Sequence, residues 1–150
     1  MMKSRNQIFI SAALIFLILG IALFTFFTRE QEPLQTFPAT ISNDCAPWDG
    51  AAFTVSVQYD SNTVIYISIW QSPIINRPTT FSVSNDLDHD GNAYIIAELD
   101  PYIALSGKVS FQSVKVEMPV EGRFKLTSES GEQYEGQFIA AWQNGDVLCG

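Results

Sequence analysis

The chain has 150 residues and a net charge of −8, from 8 Lys and Arg against 16 Asp and Glu. This length is typical of one domain, or of one domain with an appended segment. The acidic charge excludes an ordinary nucleic-acid-binding protein, because affinity for a phosphate backbone depends on clustered Lys and Arg. The single histidine, His89, excludes metal sites built from several histidines.

An apolar run extends from Ile8 to Phe27, and only three of its residues are not strongly hydrophobic. A helix of this length spans the roughly 30 Å hydrocarbon core of a bilayer, so the run predicts a transmembrane helix. A cleaved signal peptide is the alternative, because Gly20 and Ala22 have the spacing of a cleavage site. The apolar run continues well past Ala22, which favours an anchor that is not cleaved. This predicted anchor consists of residues 1–28.

The charges beside this run predict its orientation. Lys3 and Arg5 precede it, whereas Arg29 is followed by Glu30 and Glu32. Because cytoplasmic flanks carry the excess of Lys and Arg, we expect the N-terminus in the cytoplasm and the rest of the chain outside, as in a single-pass membrane protein. The chain has no Asn-X-Ser/Thr glycosylation acceptor, which favours a bacterial source.

Residues 29–42 are predicted to be a linker. Pro33 and Pro38 lie there among Gln, Glu and Thr without a sustained hydrophobic period, and residues before proline prefer extended conformations. We therefore expect the extracytoplasmic domain to cover residues 43–150.

Beyond Asn43 the dominant hydrophobic period is two, which is typical of β-strands with one buried face. A first run contains Phe53, Val55 and Val57, and a second, after a short turn, contains Ile65 and Ile69 on one face. The two runs predict a hairpin. Six further strands are predicted, at Thr79–Ser84, Asn92–Leu99, Lys108–Glu117, Gly122–Thr127, Gln133–Trp142 and Val147–Cys149.

About eight short strands separated by Gly, Pro, Asn and Asp indicate an all-β fold, either an antiparallel sandwich or a small barrel. The run from Lys108 to Glu117 changes its hydrophobic phase, and a β-bulge near Gln112 or Ser113 would account for the change. The predicted architecture is therefore this all-β domain preceded by one N-terminal transmembrane helix.

The two cysteines lie at opposite ends of the predicted domain. Cys45 is near its beginning and Cys149 is next to its end. Disulfides persist in oxidising compartments outside the cytoplasm, which is where the predicted topology places this domain. We therefore predict a Cys45–Cys149 disulfide, with two unpaired buried thiols as the alternative.

The segment from Asp86 to Gly91 resembles the opening of an EF-hand calcium loop, in which alternating carboxylates surround the cation and a glycine permits the turn. The resemblance implies a calcium site formed by the side chains of Asp86, Asp88 and Asp90 and the backbone carbonyl of Asn92. The acid expected at loop position 12 is missing, so a solvated acidic turn is the alternative interpretation.

Aromatic residues suggest a binding surface. If Ile65, Ile67 and Ile69 fill the core, Tyr66 and Trp70 lie on the opposite face of the same strand. Exposed on a sheet, they would form a platform for a glycan or a partner protein; buried by another layer, they would be packing residues.

The sequence favours a non-enzymatic binding or structural module, anchored in a membrane and stabilised by calcium if the acidic loop binds it. Its expected partners are the membrane, through the N-terminal helix, and a protein or glycan of the cell envelope. A small β-barrel that carries an apolar ligand is the alternative. An extracytoplasmic hydrolase comes third, since it requires a cleft in which acids with shifted pKa values converge.

Overall fold

The computed structural model of the protein describes residues 33–97, 102–143, 145 and 147–149. The predicted membrane anchor, residues 1–28 with the helix from Ile8 to Phe27, lies outside these residues. Within them, no helix has the length and hydropathy that a bilayer crossing requires.

The described residues form eight strands: β1 Thr36–Cys45, β2 Ala51–Gln58, β3 Thr63–Ile69, β4 Thr79–Val83, β5 Gly91–Ala97, β6 Ile103–Phe111, β7 Val120–Ser128 and β8 Gln133–Trp142. They form a closed barrel in the order β1-β2-β3-β5-β4-β6-β7-β8, which confirms the all-β prediction and selects the barrel over the sandwich. Most neighbours are antiparallel, but β1 and β8 close the barrel as a parallel pair from Thr36↔Gln137 to Ile41↔Trp142.

The alternation of apolar and polar residues determines which side chains point inward. On β3, Ile65, Ile67 and Ile69 have no exposed surface, whereas Tyr66 is partly exposed on the outer side. The predicted hairpin is formed by β2 and β3, which pair from Gln58↔Val64 to Phe53↔Ile69. The sequence period therefore predicted the inner face of this hairpin correctly.

The first strand corrects the predicted linker boundary. Residues 36–42, interpreted as linker, belong to β1, so the folded part begins before Asn43. Phe37 and Ile41 point into the core, but Pro38 between them favoured an irregular segment at the sequence level. Pro38 is tolerated because β1 pairs only with β8 at this point, and its pairing with β2 begins at Ala39.

Two other predicted strands are corrected. The predicted strand Val147–Cys149 is not a strand, and this segment is held by a disulfide instead of a β-ladder. The predicted run Lys108–Glu117 ends as a strand at Phe111, and Val114 forms an isolated bridge with Ile75. The change of hydrophobic phase therefore marks the end of β6, and the predicted bulge near Gln112 or Ser113 is wrong.

Strand β6 changes partners along its length. Its residues Ile103–Leu105 pair with β5, and its residues Gly107–Phe111 pair with β4. Gly107 lies at this change with φ of 153°, and a Cβ there would collide with the backbone carbonyl oxygen of Lys125 on β7. Only glycine allows the two backbones to approach so closely.

The interior of the barrel is occupied by side chains from all eight strands. Successive aromatic rings have centroids 4.7 to 6.4 Å apart, which is direct contact. The interior of an eight-stranded barrel is either filled by its own side chains or holds one small ligand, so the barrel fits the predicted alternative in its fold. In this barrel the contacting rings lie in the interior. The connected rings are those of Phe53, Phe111, Phe138, Phe124, Phe37 and Tyr59.

The predicted disulfide between Cys45 and Cys149 is present. It attaches the C-terminal segment to the last residue of β1. The cross-link joins residues 104 positions apart and therefore encloses almost the whole barrel in one covalent loop.

Candidate functional site

Three tyrosine rings form a stacked ladder on the outer surface, across β3, β5 and the residue before β6. The ring centroids of Tyr66 and Tyr94 are 5.2 Å apart with an interplanar angle of 11°, and those of Tyr94 and Tyr102 are 5.0 Å apart with an angle of 22°. Tyr66 and Tyr94 face each other directly in the strand register. The outer face predicted from Tyr66 is therefore an aromatic surface that extends over two strands.

The ladder ends at a hollow of about 660 Å³. Tyr102 is 49% exposed there, and its hydroxyl donates a hydrogen bond to Asn85 Oδ1 at 3.1 Å. A volume of this size is in the range of small-ligand sites. The hollow combines one exposed ring with polar groups from two loops; its lining residues are Asn85, Tyr102, Ile103, Ala104, Glu129 and Ser130.

The Tyr94 hydroxyl of this ladder remains protonated at physiological pH. Partial burial between the neighbouring rings raises the pKa of Tyr94 above its usual value of 10.0, and the nearby hydroxyls of Tyr66 and Tyr102 raise it further. Neutral phenols both donate and accept hydrogen bonds. The ladder therefore offers apolar ring surface together with hydroxyl groups, a combination suited to a polar organic ligand.

Trp70, the second residue of the predicted binding surface, lies apart from the ladder. Its ring meets that of Trp48 edge to face, with centroids 5.5 Å apart and an angle of 78°. Ser68 separates Tyr66 from Trp70 along the same outer face. The structure thus places both predicted residues outside the core, but each contacts a different aromatic partner.

The acidic loop contains the residues predicted to bind calcium. Asp86 accepts hydrogen bonds from the backbone N–H of Asp88 at 3.1 Å and from Ser84 Oγ at 3.2 Å, and it contacts His89. Asp90 instead accepts a hydrogen bond from the backbone N–H of Ser82 at 2.7 Å. The bonds of Asp86 stabilise the conformation of the loop, and the bond of Asp90 attaches the loop to the end of β4.

The carboxylates of this loop do not converge. In the part of the chain that the structure describes, no three His, Cys, Asp or Glu side chains are grouped so as to hold a metal ion. Asn92, the fourth predicted ligand, lies on β5, where its Oδ1 is buried and has no hydrogen-bond partner among the described residues. Calcium binding by Asp86, Asp88, Asp90 and Asn92 therefore stays a prediction from sequence, without support from this geometry.

We expect the pKa of Asp86 to lie below 3.8, because the hydrogen bond from His89 favours its charged form. The contribution of Asp86 to stability is then present above its unfolded pKa and is lost as the pH falls through the lower, folded pKa. NMR titration of the carboxyl carbon measures this value, and His89→Ala should raise it. Asp60 is the matched control, since its lowered pKa depends chiefly on the backbone N–H of Asn62. Equal shifts of both carboxylates in His89→Ala would contradict the assignment.

A second depression, of about 390 Å³, is lined by residues of β6, β7 and β8 together with Thr36 of β1, and it shares no lining residue with the hollow. Arg123 and Glu121 line it together with uncharged polar side chains. The described ion pairs are His89–Asp86 and Lys125–Glu135, so neither lining residue is neutralised within the described residues.

A comparison with models of protein families, with curated proteins and with solved structures finds no match to this chain. A functional assignment therefore depends on the geometry of these outer surfaces.

Sequence reasoning identified Tyr66 but missed Tyr94 and Tyr102 as its neighbours. Alternation with Ala93 and Ile95 was sufficient to place Tyr94 on the outer face of its strand. The lateral pairing of β3 with β5 is a tertiary property, and no local pattern specifies it. Arg123 was also missed, because an isolated basic residue on a polar strand face carries no motif.

Proposed function

We propose that the protein is a membrane-anchored, non-enzymatic module that binds a glycan outside the cytoplasm through the tyrosine ladder. The observation that carries this proposal is the outward stack of Tyr66, Tyr94 and Tyr102, which ends in a ring 49% exposed within a hollow lined by both polar and apolar residues. Sugars present apolar ring faces and hydroxyl groups together, and the hollow offers the complementary surface.

The packing of the barrel interior supports ligand binding at the outer surface. The interior rings contact one another, so ligand binding is assigned to the outside. Asn85, Glu129 and Ser130 supply donors and acceptors around Tyr102 for sugar hydroxyls. Tyr66 and Tyr94 fix the plane of the Tyr102 ring by stacking, which reduces the entropy lost when a ligand binds.

The proposed location follows from the sequence and agrees with the cross-link. The apolar run from Ile8 to Phe27, with basic residues before it, would insert with the N-terminus in the cytoplasm. The Cys45–Cys149 disulfide is the kind of bond that persists in an oxidising compartment. An anchored module of this type would hold the cell membrane near an envelope glycan.

A panel of immobilised neutral oligosaccharides, including chitotetraose, cellotetraose and maltotetraose, tests this function with the full-length protein. We expect at least one to bind, and Tyr102→Ala to weaken that binding by about tenfold, or about 1.4 kcal/mol. Tyr102→Phe should lose less, because it keeps the ring and removes only the hydroxyl that bonds to Asn85.

Trp48→Ala is the matched control, because Trp48 is also an exposed aromatic residue but lies away from the hollow. It should leave glycan affinity unchanged. The proposal fails if no oligosaccharide binds, or if Trp48→Ala and Tyr102→Ala weaken binding equally.

A further inference from the structure

Three basic side chains lie together on the outer face of β6 and β7. Lys108 and Lys125 face each other directly in the strand register, and Arg123 lies two residues before Lys125 on the same face. All three residues are exposed. Only five of the eight Lys and Arg follow Pro33, so this cluster holds most of the basic residues of the barrel. The other two, Arg77 and Lys115, lie outside the strands.

The cluster is poorly neutralised by the barrel itself. Like charges that face each other across two strands are destabilising. Lys125 Nζ lies 3.3 Å from Glu135 Oε2, which offsets one charge of the pair. Lys108 and Arg123 have no ion-pair partner among the described residues. Two cationic side chains of the cluster are thus without an ion-pair partner among the described residues, on a chain whose net charge is −8.

Arg123 also lines the depression of about 390 Å³ beside the cluster. Hydroxyl and amide side chains line the same depression, and Ile139, 52% exposed, adds an apolar surface. One of the amides is held in place, since Gln137 Nε2 donates to Thr36 Oγ1 at 2.7 Å and to the carbonyl oxygen of Leu34 at 3.2 Å. The uncharged polar residues of the lining are Thr36, Ser110, Gln112 and Gln137.

We propose that this depression binds a carboxylate-bearing saccharide, with the Arg123 guanidinium paired to a carboxylate. Arginine presents a planar fork of donors that matches a carboxylate in a bidentate geometry. The amides and hydroxyls of the lining suit sugar hydroxyls, and Lys108 lies diagonally across the strands from Arg123 to receive the acid group of a neighbouring sugar. The site shares no residue with the hollow at Tyr102 and does not depend on that function.

Glu121 is expected to affect the affinity for an acidic ligand in the opposite direction to Arg123. It lines the same depression, two residues before Arg123 on the same face of β7. Its carboxylate repels an acidic ligand and weakens the site. Removal of this charge should therefore tighten binding, whereas removal of the Arg123 charge should weaken it.

Tetragalacturonate is the probe, and its fully methyl-esterified form is the uncharged control. Titration of the full-length protein at low ionic strength should show binding of the acid only, and added salt should weaken it. We expect Arg123→Gln to weaken binding at least tenfold and Glu121→Gln to tighten it severalfold. Melting curves of Arg123→Gln and Glu121→Gln check that the barrel of each variant is intact.

Arg77→Gln is the matched control, because it makes the same charge change away from the depression, and it should alter affinity by less than twofold. Tyr102→Ala should also leave tetragalacturonate affinity unchanged, so failure of the neutral-glycan function is distinguished from failure of this one. The proposal is overturned if the acid does not bind at millimolar concentration, if the ester binds equally, or if Arg77→Gln and Arg123→Gln have equal effects.

Discussion

Cys149→Ser is expected to lower the free energy of unfolding by about 3 to 5 kcal/mol. The cross-link closes a loop between residues 104 positions apart, so the unfolded chain gains much conformational freedom when the bond is removed. For a domain of this size, the melting temperature should fall by roughly 10 to 20 °C. Thermal unfolding followed by circular dichroism measures the change.

Cys45→Ser and the double variant are the controls for this prediction. Each should melt at the temperature of Cys149→Ser, because either substitution alone removes the whole cross-link. The wild-type protein in strong reductant should approach the same value. Additive losses in the double variant would show that the thiols contribute by packing and not through the bond between them.

Gly107→Ala is expected to destabilise the barrel by about 3 kcal/mol or more, from a strained φ together with overpacking. The new Cβ would collide with the carbonyl oxygen of Lys125, and φ at this position is 153°. Both backbones belong to the ladder of β6 with β7, so a shift that relieves the collision would strain this pairing. Chemical denaturation with a fixed m-value gives the loss of stability.

Two other glycines separate the steric effect from the backbone effect. Gly131 has φ of 87° but open space around its Cβ position, so Gly131→Ala should cost only about 1 kcal/mol. Gly145 has open space around its Cβ position, and Gly145→Ala should be nearly neutral. Equal losses at the three positions would contradict the steric explanation for Gly107.

The hydrophobic period was sufficient to locate most of the inward residues. It predicted β8 at its observed bounds, Gln133–Trp142, because the alternation there has no interruption. It failed for β1, where Pro38 favoured an irregular segment at the sequence level. Pro38 is tolerated in the strand because it pairs with β8 alone and lies just before the first residue that pairs with β2. The local pattern therefore predicted the positions of strands more reliably than the limits of the folded domain.

The candidate surfaces were harder to predict than the strands. Tyr66 and Trp70 were assigned to the outer face from the phase of β3 alone. The stacking of Tyr66 on Tyr94, and the grouping of Lys108 with Arg123, depend on which strands are neighbours. Strand order and register arise from long-range contacts, so residues far apart in sequence meet on these surfaces without a shared motif.

The parallel pairing of β1 with β8 has a kinetic consequence. Thr36 pairs with Gln137, so the first strand synthesised completes its ladder only after the last strand has emerged. Until then one side of β1 is an unpaired strand edge, which is a template for association with other chains. Contacts so distant in sequence also slow folding. A nascent chain of this protein thus keeps an open barrel until β8 has emerged, and closure requires all eight strands.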